Sequence, residues 1–161
     1  MEFRELSEKE FGEFAKSCPV KNFMQSVEMW RRYEGTGREA SLLGVTSGKK
    51  VVAAALVMCA GKSHGQKVFN APRGILMDYW AAEAEEILRI FTEGARKFLK
   101  KKRGMTLEIS PNVVAVSRDT NGKKVAGEDN RWMVETLRRI GYKYLGEYGH
   151  AKWTYILETG G

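Results

Sequence analysis

Two cysteines, two histidines and three prolines are few for a chain of 161 residues, and each scarcity excludes a class of chemistry. Cys18 and Cys59 have no metal-ligand spacing and no adjacent base, so they read as reduced core thiols. His64 sits among Lys62, Ser63 and Gly65, and His150 follows Gly149 in a final hairpin turn. Neither histidine has a second ligand at metal spacing or a carboxylate placed to orient it as a base, so both read as solvated loop residues. No stretch approaches the roughly 20 apolar residues that span a bilayer. The start, Met1-Glu2-Phe3-Arg4-Glu5, lacks the apolar run of a signal peptide. The expectation is a cytoplasmic protein with no integral membrane segment, no metal, no repeat and no low-complexity region.

What is present is ordinary for a soluble domain: 43% hydrophobic and 29% charged residues, enough for one sizeable core across residues 1–161. The formal net charge of +7 would attract anions such as tRNA, nucleotide-sugar diphosphates or acidic lipid surfaces. Lys97, Lys100, Lys101, Lys102 and Arg103 supply much of it, at the end of a predicted helix. Two readings stand for them: solvated partners of the helix dipole, or contacts to phosphate.

Ser7-Glu8-Lys9-Glu10 forms a capping box that opens a helix with Phe11, Phe14, Ala15 and Cys18 on one face, closed by Pro19. Ser26 caps a second, short helix ending near Gly35. Strands are predicted at residues 41–47, 51–58 and 67–71, with a Gly48-Lys49 turn between the first two and a loop from Gly61 to Gln66. The 51–58 segment, β-branched then alanine-rich, suits a central buried strand. The strongest helix covers residues 81–101, with Ala84, Ile87, Leu88, Phe91, Ala95, Phe98 and Leu99 inward. A strand at 106–110 follows, then a long polar loop from 112 to 129 with an Asn121-Gly122 turn. Asp129 caps a helix with Met133, Leu137 and Ile140 inward and Gly141 past its end; strands at 142–147 and 152–158 finish the chain.

Phe23-Met24-Gln25-Ser26, Leu43-Gly44-Val45 and Ala71-Pro72-Arg73-Gly74 occur in this order at near-gapless spacing. Further pieces are Met77-Asp78-Tyr79, Arg118-Asp119, Asp129-Asn130 and Ile140-Gly141-Tyr142. Together they resemble the FemABX aminoacyltransferases, which build peptidoglycan interpeptide bridges with aminoacyl-tRNA as donor. The resemblance covers nearly the whole chain but only the first of that family's two domains. It implies an α/β (α+β) fold: a single GNAT-like (acyl-CoA N-acyltransferase) domain, with a mixed, mostly antiparallel sheet flanked by helices. The order of elements agrees with that fold. Coenzyme A is not expected as a cofactor, nor is any other. The turn Arg73-Gly74-Ile75-Leu76-Met77-Asp78 before the long helix has one glycine and an aspartate, which make a poor pyrophosphate cradle.

The implied partner is a nucleotide- or lipid-linked muramyl peptide, with aminoacyl-tRNA reached through a second domain. The position where the family carries a diphosphate-contacting lysine is Tyr33, although Arg31, Arg32 or Arg38 could reach the same anion. The family's Asp-Pro is Ser110-Pro111, its proline after Arg-Gly is Ile75, and an aromatic position is Met105. Trp30, Arg31, Arg32 and Tyr33 mix aromatic and basic groups that suit stacking on a base or peptide, while Trp30 equally suits packing its helix to the sheet. The candidate acceptor-binding residues are Trp30, Arg32, Tyr33, Arg38, Arg73 and Ser110, with no catalytic group identified. Glu108, between Leu107 and Ile109, reads as a solvent-facing strand residue, with a carboxylate exposed at the splay of the sheet as the other reading. A non-catalytic module binding an anionic cell-wall precursor or tRNA is the alternative function.

Overall fold

Unbroken runs of buried residues place the centre of the sheet in two strands, β2 (Ala40–Ser47) and β3 (Lys50–Ser63). The computed structural model of the protein describes residues 1–146. From Ser41 to Thr46 every residue of β2 is buried, as are Ala53 to Met58 of β3. Burial of consecutive residues requires a covering layer on both faces of the sheet. β1 (Glu2–Glu5) flanks β2, and β4 (Gln66–Ala71) flanks β3; all these pairs are antiparallel. β6 (Gly104–Ile109) then joins β4 in parallel, giving the order β1-β2-β3-β4-β6. A two-residue strand, β5 (Leu76–Met77), pairs with β3 off this path.

Helices α1 (Glu8–Ser17) and α2 (Val27–Gly35) touch each other and pack on β2 and β3. Helix α3 (Ala84–Lys101) packs along β1, β2, β3 and β6, and α4 (Trp132–Ile140) leans on it. The expected stripe of α3 is buried at Ala84, Ile87, Leu88, Phe91, Ala95 and Leu99, while Phe98 is half-buried beneath the Lys102 ammonium. The rings of Phe3 and Phe91 meet edge-on with centroids 5.7 Å apart. Phe3 fits because residue 94 is glycine: a β-carbon there would lie 2.0 Å from Phe3 Cγ. Gly94→Ala should therefore destabilise the domain by about 1–3 kcal/mol, although alanine ordinarily stabilises a helix interior. Thermal unfolding of the variant decides the sign.

The capping box forms with both arms: Ser7 Oγ accepts from Glu10 N, and Glu10 Oε2 accepts from Ser7 N at 2.9 Å. Arg4 adds two hydrogen bonds to the same carboxylate, at 3.2 and 2.5 Å. The Arg4 guanidinium, then the Ser7 backbone and hydroxyl donors, hold the Glu10 carboxyl down at about 2. A lowered folded-state value contributes stability above the ordinary carboxylate range and loses it as pH falls from about 5 toward 2. Glu10→Gln should flatten the loss of melting temperature across that window.

Four sequence expectations are corrected. The segment from Gly61 to Gln66 is no loop but the outer part of a β3–β4 hairpin, with Lys62 opposite Lys67. Its turn is only His64-Gly65, both at positive φ (49° and 75°), the backbone twist that two-residue hairpins demand. The polar stretch 112–129 contains a second hairpin, β7 (Val116–Arg118) and β8 (Lys124–Asp129), turning through Asn121-Gly122. The N-cap of α4 is Arg131, because Asp129 spends its carboxylate on the Arg131 backbone N–H and guanidinium instead. Residues 142–146 are not strand; Glu147, the 152–158 strand and His150 lie outside the described residues. Gly141 closes α4 at φ 106°, as its position predicts. Both cysteines are free, Cys18 buried and Cys59 half-buried. Among the described residues no helix is long and apolar enough to cross a membrane.

Candidate functional site

The site begins with a break in the sheet. β4 and β5 lie on the same edge of β3, but β4 pairs with Met58 to Ser63 and β5 only with Ala53 and Ala54. Between them Leu56 faces no strand on that side. Gln25, from the short 3-10 turn Phe23–Gln25 before α2, fills the gap with its side-chain amide. Its Oε1 accepts from Leu56 N at 2.7 Å, and its Nε2 donates to Leu56 O at 3.2 Å and Pro72 O at 2.8 Å. One amide thus does the work of a peptide group in a missing strand. It is 1% exposed, and every buried side-chain polar atom among the described residues has a partner.

Gly74 passes directly over that amide; a β-carbon at residue 74 would sit 3.1 Å from Gln25 Cδ. Arg73 takes positive φ (57°), and its backbone N–H donates to Ser110 Oγ at 2.9 Å. Ser110 follows β6, so this bond ties the Pro72-Arg73-Gly74 loop to the end of the parallel strand pair. Where the family carries aspartate, serine keeps the acceptor this N–H requires. Ser110 therefore has a scaffold role whatever else it contacts.

Beyond these ends opens a groove of about 730 Å³. Asn70, Pro72, Glu108, Ile109, Ser110 and Pro111 line its sheet side, with Tyr33 and Arg38 from α2 and the turn after it. Val134, Leu137 and Arg138 of α4 and residues 142–146 form another wall. The Arg38 guanidinium lies over the Tyr33 ring, 5.8 Å from its centroid, while the Tyr33 side chain is nearly buried. That is cation–π geometry, which fixes an otherwise flexible charge. Tyr142, at the foot of the α4 wall, shares a hydrogen bond with Thr92 at 3.0 Å, and burial raises its phenol above the ordinary value.

Of the six candidate residues, the structure brings Tyr33, Arg38 and Ser110 to this groove. Trp30 packs half-buried against the core, Arg32 is exposed, and the Arg73 backbone braces the rim. Arg31 is engaged by Glu8 of α1. Sequence reasoning missed Asn70, Arg138 and Lys143 as lining residues; Glu108 stands half-buried in the groove wall. Only the register of β4 against β6 and the packing of α4 could reveal them. Three cations, Arg38, Arg138 and Lys143, face one carboxylate, Glu108, so the groove favours anions. Arg138 shares its charge with Glu135 at 2.7 Å. Among the described residues no group of histidines, cysteines and carboxylates could hold a metal.

A model of the FemAB family matches residues 6–158. The chain belongs to the FemAB family. Aminoacyltransferase FemA of Staphylococcus aureus is 29% identical over 147 residues, covering 91% of this chain and 34% of the relative. The chain therefore spans about a third of the length of the curated FemA relatives it matches. The crystal structure of FemX superposes with a TM-score of 0.72 at 21% identity, over 94% of this chain and 35% of FemX. The aminoglycoside 6'-N-acetyltransferase AAC(6')-IG of Acinetobacter haemolyticus gives 0.55 at 12% identity, over 97% of this chain and all of that one. These structural likenesses establish a shared acyltransferase fold, as the FemABX resemblance predicts.

Proposed function

We propose that this FemAB domain holds the acceptor, a nucleotide- or lipid-linked muramyl peptide, for an aminoacyltransferase of peptidoglycan bridge synthesis. The observation that carries the reading is Arg38 laid over Tyr33 on the groove wall. Tyr33 stands where the family places its diphosphate-contacting lysine, and Arg38 returns a planar cation to that spot. A guanidinium binds phosphate oxygens in a two-pronged fashion that an ammonium does not. The peptide would lie along the sheet side, where Asn70 and Ser110 offer polar contacts and Ile109 and Leu137 apolar ones.

Transfer requires the acceptor amine aligned against an ester carbonyl and the developing oxyanion stabilised. The groove supplies alignment; a second, similar domain supplies the rest together with the aminoacyl-tRNA donor. Coenzyme A is disfavoured on charge, since Glu83, Glu85 and Glu86 crowd the start of α3, where a pyrophosphate would need to sit. One observation favours the alternative, a module that binds without transferring: among its described residues the groove holds one carboxylate and no histidine or cysteine.

Isothermal titration with a nucleotide-linked muramyl pentapeptide tests the reading. Saturable binding with Kd well under 1 mM is expected, and silence at about that concentration would contradict it.

A further inference from the structure

We infer that the outer face of α1 and α2 is a self-association surface, on which a second copy of this chain docks about a two-fold axis. The short turn Phe23–Gln25 takes part in two depressions. Met24 lines the acceptor groove, and Phe23 lines another groove of about 490 Å³ between α1 and the start of α2. Gly12, Ala15 and Val27 belong to the lining of this second groove. The helices approach closely at Gly12, where a β-carbon would lie 3.0 Å from Val27 Cγ2.

Phe23 stands beside this groove as the most exposed large apolar side chain among the described residues, with 72% of its surface in solvent. One exposed ring needs no explanation by itself. What sets Phe23 apart is the unfilled groove at its side. A knob and a hole next to each other on one surface are what a two-fold interface uses. Half a turn about an axis between them puts each copy's Phe23 into the other's groove, so the same contact is made twice. An aromatic ring also supplies more buried area per ordered side chain than most residues do.

Charge selects the occupant. The groove is lined by four cations, Lys9, Lys16, Lys21 and Arg31, and three carboxylates, Glu8, Glu13 and Glu28. This face is therefore close to neutral in a chain of formal net charge +7, and two copies meeting here avoid most of their mutual repulsion. Within one copy Glu8 takes Arg31, and Glu13 lies 4.0 Å from Lys9. Lys16, Lys21 and Glu28 form no ion pair among the described residues, so both signs are free to reach across. A nucleic acid or an anionic bilayer would meet three carboxylates; a copy with the same mixed rim offers each charge an opposite one. The helices have 10 and 9 residues and are only about 15 Å long, which puts the interface at the small, reversible end of the range.

The test is sedimentation equilibrium at protein concentrations from about 5 μM to about 1 mM. Phe23→Ser removes the knob, while Trp80→Ser removes another exposed aromatic that does not line this groove. Circular dichroism confirms that each variant is folded. The parent should dimerise with a Kd of roughly 10–100 μM, Phe23→Ser roughly 30-fold more weakly, and Trp80→Ser within about threefold of the parent. Concentration-dependent amide shifts in the parent should fall at Gly12, Lys16 and Phe23. A parent that stays monomeric at about 1 mM overturns the inference, as does a dimer that Phe23→Ser weakens no more than Trp80→Ser does. If the nucleotide-linked muramyl pentapeptide shifts the amides of Lys21, Asn22 and Phe23 in a monomeric protein, the groove takes the acceptor, which equally overturns it. The inference goes beyond the acceptor reading and stands apart from it. Phe23 does not line the acceptor groove, so Phe23→Ser should bind the pentapeptide within about twofold of the parent. Each of the two readings can therefore fail separately.

Discussion

Replacing Gln25 with alanine is expected to cost the domain about 3 kcal/mol or more, a fall in Tm of roughly 6–12 °C. The change strands the Leu56 N–H and the Leu56 and Pro72 carbonyls, all partners of the amide. An unsatisfied buried polar group costs about 1–3 kcal/mol, and part of this returns only if water enters the vacated space. The loop from Pro72 to Gly74 then loses its support, so the rim of the groove should loosen along with the core. Gln25→Glu separates the two functions of the amide. A carboxyl in this place is raised by burial, and protonated it still accepts from Leu56 N and donates one bond. A raised folded-state value gives stability that is present below the unfolded value, about 4.3, and lost as pH rises. The glutamate variant should come closest to the parent near pH 4 and fall away toward pH 7. Thermal unfolding followed over that range would show this, and a flat difference would remove the strand-mimic account.

Arg38→Ala is expected to weaken binding of the nucleotide-linked muramyl pentapeptide by roughly 10- to 100-fold, the range for a charge-assisted contact of about 1.5–3 kcal/mol. Arg32→Ala should leave it within about twofold, since Arg32 is exposed and outside the groove lining. Arg38→Lys should recover only part of the loss, because an ammonium cannot grip two phosphate oxygens in one plane. Tyr33→Leu should weaken binding indirectly by freeing the guanidinium from the ring it rests on. A titration series on these four variants separates the contact from its support. If Arg32→Ala loses more than Arg38→Ala, the acceptor lies on the outer face of α2 and not in the groove.

Much of the fold was legible because it rests on local patterns. The capping box, the apolar stripe of α3 and the alanine-rich β3 are written at fixed spacings. The short motifs proved to be packing devices. In Leu43-Gly44-Val45, the outer residues are fully buried and a β-carbon at Gly44 would strike Leu6 Cδ1 at 2.5 Å and Ala53 O at 2.8 Å. Gln25 belongs to a motif visible in the sequence, but its role depends on a gap between β4 and β5 that no local pattern announces. The hairpin tip at His64-Gly65 was hidden because its strands are polar and exposed, so no alternation marks them. Phe23 of the same motif as Gln25 is 72% exposed, and nothing in the fold explains it. The groove was the least legible part. Residues from α2, β4, β6 and α4, spread from Tyr33 to Arg138, meet only through the parallel β4–β6 pairing and the packing of the helices around it.

The central claim is that the anion-favouring groove at the ends of β4 and β6 receives the muramyl-peptide acceptor. Amide chemical-shift mapping during titration with the nucleotide-linked pentapeptide addresses it residue by residue. The account predicts that the largest shifts fall at Tyr33, Arg38, Asn70 and residues 107–110, with the hairpin tip at His64 unmoved. Shifts confined to the tip and the end of α3, or none at saturating ligand, would contradict it.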